Sequence, residues 1–204
     1  MKINNIELSE SNLSDLNNVY QRLLSDFPAN ELKDYNHLKS LLAKGKYKLL
    51  LATNKEEIVG YAFIYEFEHI PVIWLDYLAI DKRFQNLGYG SLIFNKILQS
   101  KQAGIFVEVE KPECDEHARV QQIRRINFYE RLGAKRLHIP YKLPTNDGGF
   151  PMYLYFRPTS NLHRLPKEQI QAAIAEVFGN IHSDVSDRNA ILDEISTFID
   201  DEYV

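Results

Sequence analysis

The segment from Val72 to Ile80 is the feature that most constrains how this chain can fold. Every residue in it except Asp76 is apolar or aromatic, which predicts a β-strand. A strand this apolar is usually covered on both faces, so we expect helices on both sides of a sheet. A polar loop containing Gly88 and Gly90 follows at once, and a helix follows the loop. The sequence therefore predicts a strand, a glycine-bearing loop and a helix within an α/β fold.

Hydrophobic periodicity predicts the other elements of the fold. In chain order they are helices through 16–24 and 38–42, strands over 47–53, 58–67 and 72–80, a helix after residue 91, a strand over 105–110, a helix over 116–132, and strands over 135–143 and 152–157. Strands that first follow one another and then alternate with helices predict a mixed α/β sheet.

The composition changes after Pro158, where two amphipathic stripes follow. Their apolar residues have helical spacing: Ile170, Ala173, Ile174, Val177 and Phe178 in the first, and Ile191, Leu192, Ile195, Phe198 and Ile199 in the second. We therefore expect a main domain over 1–158 and a C-terminal two-helix extension over 159–204. The apolar faces of the extension would pack on the domain, on each other or on a second subunit, which makes a homodimer one expectation.

Composition and charge exclude several classes of protein. The 204 residues carry 24 Lys and Arg against 28 Asp and Glu, whereas a protein that binds nucleic acid needs a basic face. The single cysteine, Cys114, cannot form an internal disulfide, and no Cys/His cluster has zinc-ligand spacing. No apolar run reaches the ~18–20 residues that cross a bilayer, and the polar N-terminus lacks a secretory signal. We expect a cytoplasmic protein with no metal site and with neither a nucleic-acid nor a membrane partner.

The loop over 85–91 is the first candidate for chemistry. The backbone N–H groups of a glycine-bearing loop, together with the free N–H groups at a helix start, can bind a phosphate or pyrophosphate. The loop does not match a Walker motif, because Gly90 is followed by Ser91 and Leu92, and its two glycines are too few for a dinucleotide fingerprint. A tight connection that binds nothing is the alternative interpretation at this point.

Two motifs resemble those of one family. The run Gln85-Asn86-Leu87-Gly88-Tyr89-Gly90 resembles the acyl-CoA-binding motif Arg/Gln-x-x-Gly-x-Gly/Ala of the GNAT N-acetyltransferase superfamily. The run from Ile126 to Ala134 resembles the same family's Phe/Leu-Tyr-x-x-x-Gly-Phe segment, with Ala134 where phenylalanine is usual. The predicted order of elements over 1–158 is also similar. The resemblance implies a central, mostly antiparallel sheet with a parallel split pair, flanked by helices on both faces.

The resemblance also implies which residues bind acetyl-CoA, the acyl donor. The end of the strand over 72–80 would pair with the pantetheine arm, in a gap beside the strand over 105–110, and the loop would hold the pyrophosphate. The implied acetyl-CoA-binding residues are Leu78, Ala79, Ile80, Gln85, Asn86, Leu87, Gly88, Tyr89, Gly90 and Ser91. Tyr129 matches the family tyrosine that protonates the departing thiolate, although a core aromatic at a helix end is the simpler interpretation.

A general base must take the proton of the attacking amine. Glu108 and Glu110 share one face of the strand over 105–110, and Asp76 interrupts an otherwise apolar strand. Burial of such a carboxylate raises its pKa, which suits a base. The two glutamates would equally face solvent or pair with arginines of the helix over 116–132. We place Glu108 first and keep Asp76 and Glu110 as alternatives.

The residues and the resemblance together favour an enzyme that moves an acetyl group from acetyl-CoA to a primary amine by direct attack in a ternary complex. The acceptor would be a small amine or a protein amine, with candidate walls around 27–31 and 141–150. Two other classes stay open at this stage: a non-catalytic acyl-CoA-binding or regulatory module, and a nucleotide-binding α/β domain.

Overall fold

The computed structural model describes residues 6–99, 103–159 and 162–204. The helices in these ranges are α1 (Leu13–Asp26), α2 (Tyr35–Ala43), α3 (Tyr89–Leu98), α4 (Glu116–Arg131), α5 (Lys167–Asn180) and α6 (Arg188–Ser196). The strands are β1 (Glu7–Glu10), β2 (Tyr47–Asn54), β3 (Glu57–Glu66), β4 (Val72–Ile80), β5 (Gly104–Glu110), β6 (Lys135–Arg136), β7 (Lys142–Leu143), β8 (Phe150–Pro158), β9 (Arg164–Leu165) and β10 (Glu202–Tyr203). Short 3-10 turns cover Ala29–Glu31 and Lys82–Phe84.

The fold is mixed α/β, which confirms the class that the sequence predicts. The main sheet is mostly antiparallel and contains a parallel pair, β4 and β5. By its internal contacts the chain divides into two compact units. The first unit comprises Met1–Glu66 and Leu75–Ser100, and the second comprises Phe67–Trp74 and Lys101–Val204.

The core of the first unit includes the aromatic stripe of β3. Tyr61, Phe63 and Tyr65 are buried, and Tyr47 of the antiparallel neighbour β2 stacks on Phe63 with ring centroids 5.7 Å apart. Alternate positions of a strand lie on one face of the sheet, so these aromatic rings form one continuous surface. The buried residues of helix α1 lie on one face of the helix: Leu16, Val19 and Leu23.

Gly60 allows β3 to approach β4 closely. A Cβ at this position would lie 2.6 Å from the carbonyl oxygen of Ala79 and 2.8 Å from Cδ1 of Ile80. Contact this short between a Cβ and backbone is not tolerated, so any larger residue would require the backbone to shift. Gly60 therefore helps to place the last three residues of β4.

The second unit is built on the antiparallel pairing of β5 with β8, in which Glu108 lies opposite Leu154. The sequence prediction of one continuous strand over 135–143 is wrong. Two short strands, β6 and β7, pair with β8 at its two ends instead. Pro140 lies between them, and a proline has no N–H group with which to continue a strand ladder.

Both helices expected after Pro158 are present as α5 and α6. Helix α5 buries the stripe that its spacing predicts, which is Ile170, Ala173, Ile174, Val177 and Phe178. The antiparallel pair of β9 with β10, in which Leu165 lies opposite Glu202, is an addition that the sequence did not predict.

In the described ranges, no helix has the length and the apolar character that crossing a membrane requires. Within the same ranges, no three His, Cys, Asp or Glu side chains are grouped so that they could hold a metal ion.

Candidate active site

The loop that follows β4 is held by short-range polar contacts. Asp81 caps the 3-10 turn, because its carboxylate accepts a hydrogen bond from the backbone N–H of Arg83 at 3.0 Å. Arg83 also donates through its guanidinium to the same carboxylate, and this pairing lowers the pKa of Asp81. Helix α3 then begins at Tyr89, three residues earlier than the sequence predicts. Gly90 and Ser91 therefore lie in the first turn of α3.

Two residues of the turn over 85–88 adopt left-handed backbone conformations, Asn86 at φ 60° and Gly88 at φ 86°. Gly88 is the N-cap of α3, and no side chain caps the helix there. The first N–H groups of a helix have no partner within the helix and carry the positive end of its dipole. Residues 85–88 are all exposed to solvent. This turn therefore offers backbone donors to a ligand at a positively polarised helix end.

The side chains around the turn fasten it to the first unit. The Nδ2 group of Asn54 donates to the hydroxyl of Tyr89 at 2.7 Å, and the ring of Phe84 meets that of Tyr89 edge-on, with centroids 5.8 Å apart. Gln85 donates through Nε2 to the carbonyl oxygen of Ile80 at 3.2 Å. Gln85 thus joins the loop to the end of β4. Arginine is commoner at this position of the motif, and glutamine lacks its charge but keeps a hydrogen-bond donor.

The three β4 residues expected at the site, Leu78, Ala79 and Ile80, are each partly exposed at the end of the strand. Their neighbours earlier in the strand are more deeply buried, apart from Asp76. The backbone at this end of β4 therefore belongs to the solvent-accessible part of the first unit, beside the loop that contains Gln85 and Gly88.

Asp76, one of the three candidate bases, is bound within the first unit. Lys33 Nζ lies 2.9 Å from Asp76 Oδ1, and the Tyr47 hydroxyl donates to Asp76 Oδ2. The hydroxyl of Tyr77, the next residue, donates to the carbonyl oxygen of Glu31 at 2.5 Å. Both oxygens of Asp76 are thus engaged by donors, and the arrangement connects β4 to the segment between α1 and α2.

The other two candidate bases lie in the second unit. The Tyr141 hydroxyl donates to Glu108 Oε1, and Arg125 of α4 forms an ion pair with Glu110. Glu110 is buried, whereas Glu108 is partly exposed. A tyrosine hydroxyl thus contacts Glu108, and a guanidinium contacts Glu110.

Tyr129 lies near the C-terminal end of α4 and is 9% exposed. Burial raises the pKa of Tyr129 to about 12, although the nearby Arg125 acts in the opposite direction. Its ring meets that of Phe128 edge-on, with centroids 5.0 Å apart. A phenol in this environment keeps its proton at neutral pH and can donate it.

The sequence did not predict the partners of these candidates. Neither Lys33 nor Tyr141 belongs to a recognisable sequence motif. Lys33 is 43 residues from Asp76, and Tyr141 is 33 residues from Glu108. The one available signal for Tyr141 was its position in a segment already considered as an acceptor wall. No signal in the sequence pointed to Lys33.

Comparisons with known proteins agree with this geometry. A family model described as an acetyltransferase (GNAT) domain matches residues 45–133, which include both motifs except for the end of the second. YjbC of Bacillus subtilis (strain 168), whose name describes it provisionally as an acetyltransferase, is 29% identical over 170 residues. The match covers 81% of this chain and 82% of YjbC.

Solved structures share the fold. A GNAT-family structure from Bacteroides thetaiotaomicron, also provisionally named an acetyltransferase, matches with a TM-score of 0.70 and 22% identity, over 86% of this chain and 97% of that one. Arabidopsis thaliana NAA60, solved in complex with acetyl-CoA, matches with a TM-score of 0.57 and 13% identity, over 74% of this chain and 97% of that one. Over residues 45–133 the chain thus resembles the GNAT acetyltransferase domain, and its fold is that of the GNAT-family structures.

Proposed function

We propose that this protein transfers the acetyl group of acetyl-CoA directly to a primary amine. The observation that carries the proposal is the start of α3, where Gly88 leaves the first N–H groups of the helix without a side-chain cap. Such groups suit a pyrophosphate without the help of a lysine. The residues we propose to bind acetyl-CoA are Leu78, Ala79, Ile80, Gln85, Asn86, Leu87, Gly88, Tyr89, Gly90 and Ser91.

The reaction has one bond-forming and one bond-breaking event. The amine nitrogen attacks the thioester carbonyl carbon, a C–N bond forms, and the C–S bond then breaks. One proton leaves the amine nitrogen, and one proton is taken up by the departing thiolate. Because the acyl group passes directly between the two substrates, no acyl-enzyme is required.

We assign the proton on the thiolate to Tyr129. Its hydroxyl is protonated at neutral pH, since burial raises its pKa to about 12. A proton donor placed at the leaving group lowers the barrier to C–S cleavage. The phenolate that results would be reprotonated from solvent before the next turnover.

We assign the proton from the amine to Glu108, either directly or through a water molecule. The other two candidate bases each form an ion pair: Asp76 pairs with Lys33, and Glu110 pairs with Arg125. A carboxylate held in an ion pair must break that pair before it can reorient toward a substrate amine. Glu108 accepts a hydrogen bond from the Tyr141 hydroxyl and is partly exposed.

The acceptor in this proposal is a small amine or the amine of a protein. The domain that carries the reaction is proposed to be 1–158, with 159–204 as an extension that supports it. Candidate acceptor walls are the segments over 27–31 and 141–150, both of which adjoin residues that contact a candidate base.

The test is a paired measurement on the full-length protein. Acetyl-CoA binding is measured by calorimetry, and thiol release from acetyl-CoA is measured across a panel of polyamines, amino sugars, amino acid derivatives and peptides with free N-termini. We expect micromolar binding and thiol release with at least one class of amine, accompanied by the acetylated product in a mass spectrum. Binding without transfer to any amine would instead favour a non-catalytic module. Binding of ATP in place of CoA would contradict the proposal altogether.

A further inference from the structure

Glu108 is held by one side chain from a different part of the second unit. The Tyr141 hydroxyl donates to Glu108 Oε1, and Tyr141 is completely buried. A buried donor restricts the rotamers of the carboxylate that accepts from it, and it favours the ionised form of that carboxylate. The orientation and the protonation of Glu108 therefore depend on where Tyr141 is placed.

The ring of Tyr141 is in turn held by aromatic neighbours. Its centroid lies 6.1 Å from that of Trp74, and also 6.1 Å from that of Phe178, which it meets edge-on at 68°. Phe178 belongs to α5 and is buried. Aromatic pairs at this separation and angle are favourable contacts. The first helix of the C-terminal extension thus contacts the residue that orients Glu108.

The rest of the extension is joined to the same stretch of chain, residues 137–149, which we call the Tyr141 segment. Three polar contacts join the two: Glu202 with His138 at 3.0 Å, Glu194 with Lys142 at 2.7 Å, and the Ser186 N–H with Asn146 Oδ1 at 2.9 Å. The extension therefore holds the Tyr141 segment near its beginning, its middle and its end.

We propose that Tyr141 is a positioning residue for Glu108, and that the C-terminal extension keeps Tyr141 in place through Phe178. This inference rests on the proposed function, because it assigns the extension a role only if Glu108 acts on the amine. Under this proposal the orientation of Glu108 depends on α5, a helix that is remote in sequence from both motifs.

Glu108 has neighbours on its own strand, β5, and on the adjacent strand β8. On the same face of β5, Glu110 is paired with Arg125 of α4. The residue opposite Glu108 on β8 is the apolar Leu154. Just after α5, His182 contacts Phe178 with ring centroids 5.9 Å apart.

The test is a carboxyl ¹³C NMR titration of the full-length protein labelled at glutamate, in which Glu108→Gln identifies the Glu108 resonance. We expect Tyr141→Phe to raise the titration midpoint of Glu108 by about one pH unit, because a hydrogen bond to the ionised form is lost. Tyr155→Phe is the matched control, since the Tyr155 hydroxyl donates to Glu130 at 3.0 Å. It removes the same kind of bond elsewhere and should leave Glu108 unmoved.

The role of the extension is tested by Phe178→Leu. This substitution keeps the Tyr141 hydroxyl but loosens its ring, so we expect a smaller upward shift of the Glu108 midpoint. When both substitutions are present, the midpoint should match that of Tyr141→Phe alone, because residues that act in series are not additive. An unmoved midpoint in Phe178→Leu, or an independent further shift in the double variant, would overturn the proposal, as would a shift of equal size in Tyr155→Phe.

Kinetics separate a failure of this inference from a failure of the proposed function. If Glu108→Gln leaves the rate of thiol release unchanged with the amines that the wild type acetylates, Glu108 is not the base and the functional part of the inference falls with it. If Glu108→Gln abolishes thiol release while Tyr141→Phe moves neither the midpoint nor kcat, the proposed function stands and the positioning role is wrong. The expected result is a lower kcat in Tyr141→Phe at pH 7, by about tenfold, with an unchanged KM for acetyl-CoA.

Discussion

Lys33 and Asp76 form a buried ion pair in which the ammonium nitrogen lies 2.9 Å from a carboxylate oxygen. The two side chains are only 8% and 2% exposed. The ammonium also lies 5.0 Å from the centre of the Tyr77 ring, where a cation is attracted by the aromatic face. This pair joins the segment between α1 and α2 to β4, and it explains why a charged residue interrupts an otherwise apolar strand.

We expect Asp76→Asn to lower the free energy of unfolding by about 3 kcal/mol, because it removes a negative charge that is paired with the buried Lys33 ammonium. Urea denaturation monitored by fluorescence would measure the change. Glu194→Gln is the control, since Glu194 pairs with Lys142 at an exposed site and should contribute about 1 kcal/mol or less. Equal losses in the two variants would show that burial of the Lys33–Asp76 pair has no special importance.

Gly88→Ala should weaken the binding of acetyl-CoA. An alanine is strained at φ 86°, so the turn would rearrange and move the backbone donors at the start of α3. We expect Kd for acetyl-CoA, measured by calorimetry, to rise about tenfold or more. Gly45→Ala provides a control for backbone strain alone, because Gly45 has φ 81° and a Cβ there would meet no atom within 4 Å. A similar loss of affinity in both variants would contradict a specific role for the turn.

Tyr129→Phe should lower kcat by about 10- to 1000-fold while acetyl-CoA affinity is largely kept, because it removes the proposed proton donor and no other atom. With a pKa of about 12, the wild-type phenol stays protonated as the pH rises from 7 to 10. Deprotonation of Tyr129 should therefore cause no loss of kcat in that range. A wild-type turnover rate in the variant would remove the role from Tyr129.

Tyr129 also makes stability depend on pH in the alkaline range. Its pKa is about 12 in the folded protein against an ordinary 10.0, so the unfolded chain loses this proton first. The contribution of Tyr129 is fully present below pH 10 and is lost as the pH rises to about 12. Burial likewise raises the pKa values of Tyr61, Tyr77 and Tyr155.

Urea denaturation at a series of pH values measures this dependence. We expect the free energy of unfolding to fall from pH 10 upward, and the fall to be shallower in Tyr129→Phe by about 1.4 kcal/mol per pH unit. Parallel curves for the wild type and the variant would mean that Tyr129 ionises equally easily in the folded and unfolded chains.

Strands β2, β3 and β4 could be predicted because their own residues determine them, whereas the short strand β1 (Glu7–Glu10) was not predicted. The bounds of β4 agree with the sequence prediction at both ends, since an apolar run is limited there by Pro71 and by the polar loop. The glycine-bearing loop could likewise be located, because it depends on local backbone conformation. The start of α3 was placed three residues late, because a glycine N-cap provides no side-chain signal.

Pairs that are remote in sequence could not be predicted. The contacts of Lys33 with Asp76 and of Tyr141 with Glu108 depend on the tertiary fold. Hydrophobic periodicity predicts single helices and strands and not the contacts between distant residues. The pair of β9 with β10 is too short to have a pattern of alternation. The roles of Glu108 and Tyr129 stay predictions, whereas Asp76 now has a structural explanation that the sequence did not offer.

The attachment of the extension to the Tyr141 segment limits how this protein can be shortened. A Cβ at Gly149 would lie 3.3 Å from Cδ1 of Ile191 in α6, so the backbone of this segment packs directly on the extension. Removing all residues after Pro158 would remove the side chains that pack on Tyr141 and Gly149 and would expose a buried surface to solvent. A relative without such an extension would have to fill the same volume with other side chains, and grafting the two motifs alone onto a smaller scaffold would omit part of what holds Glu108.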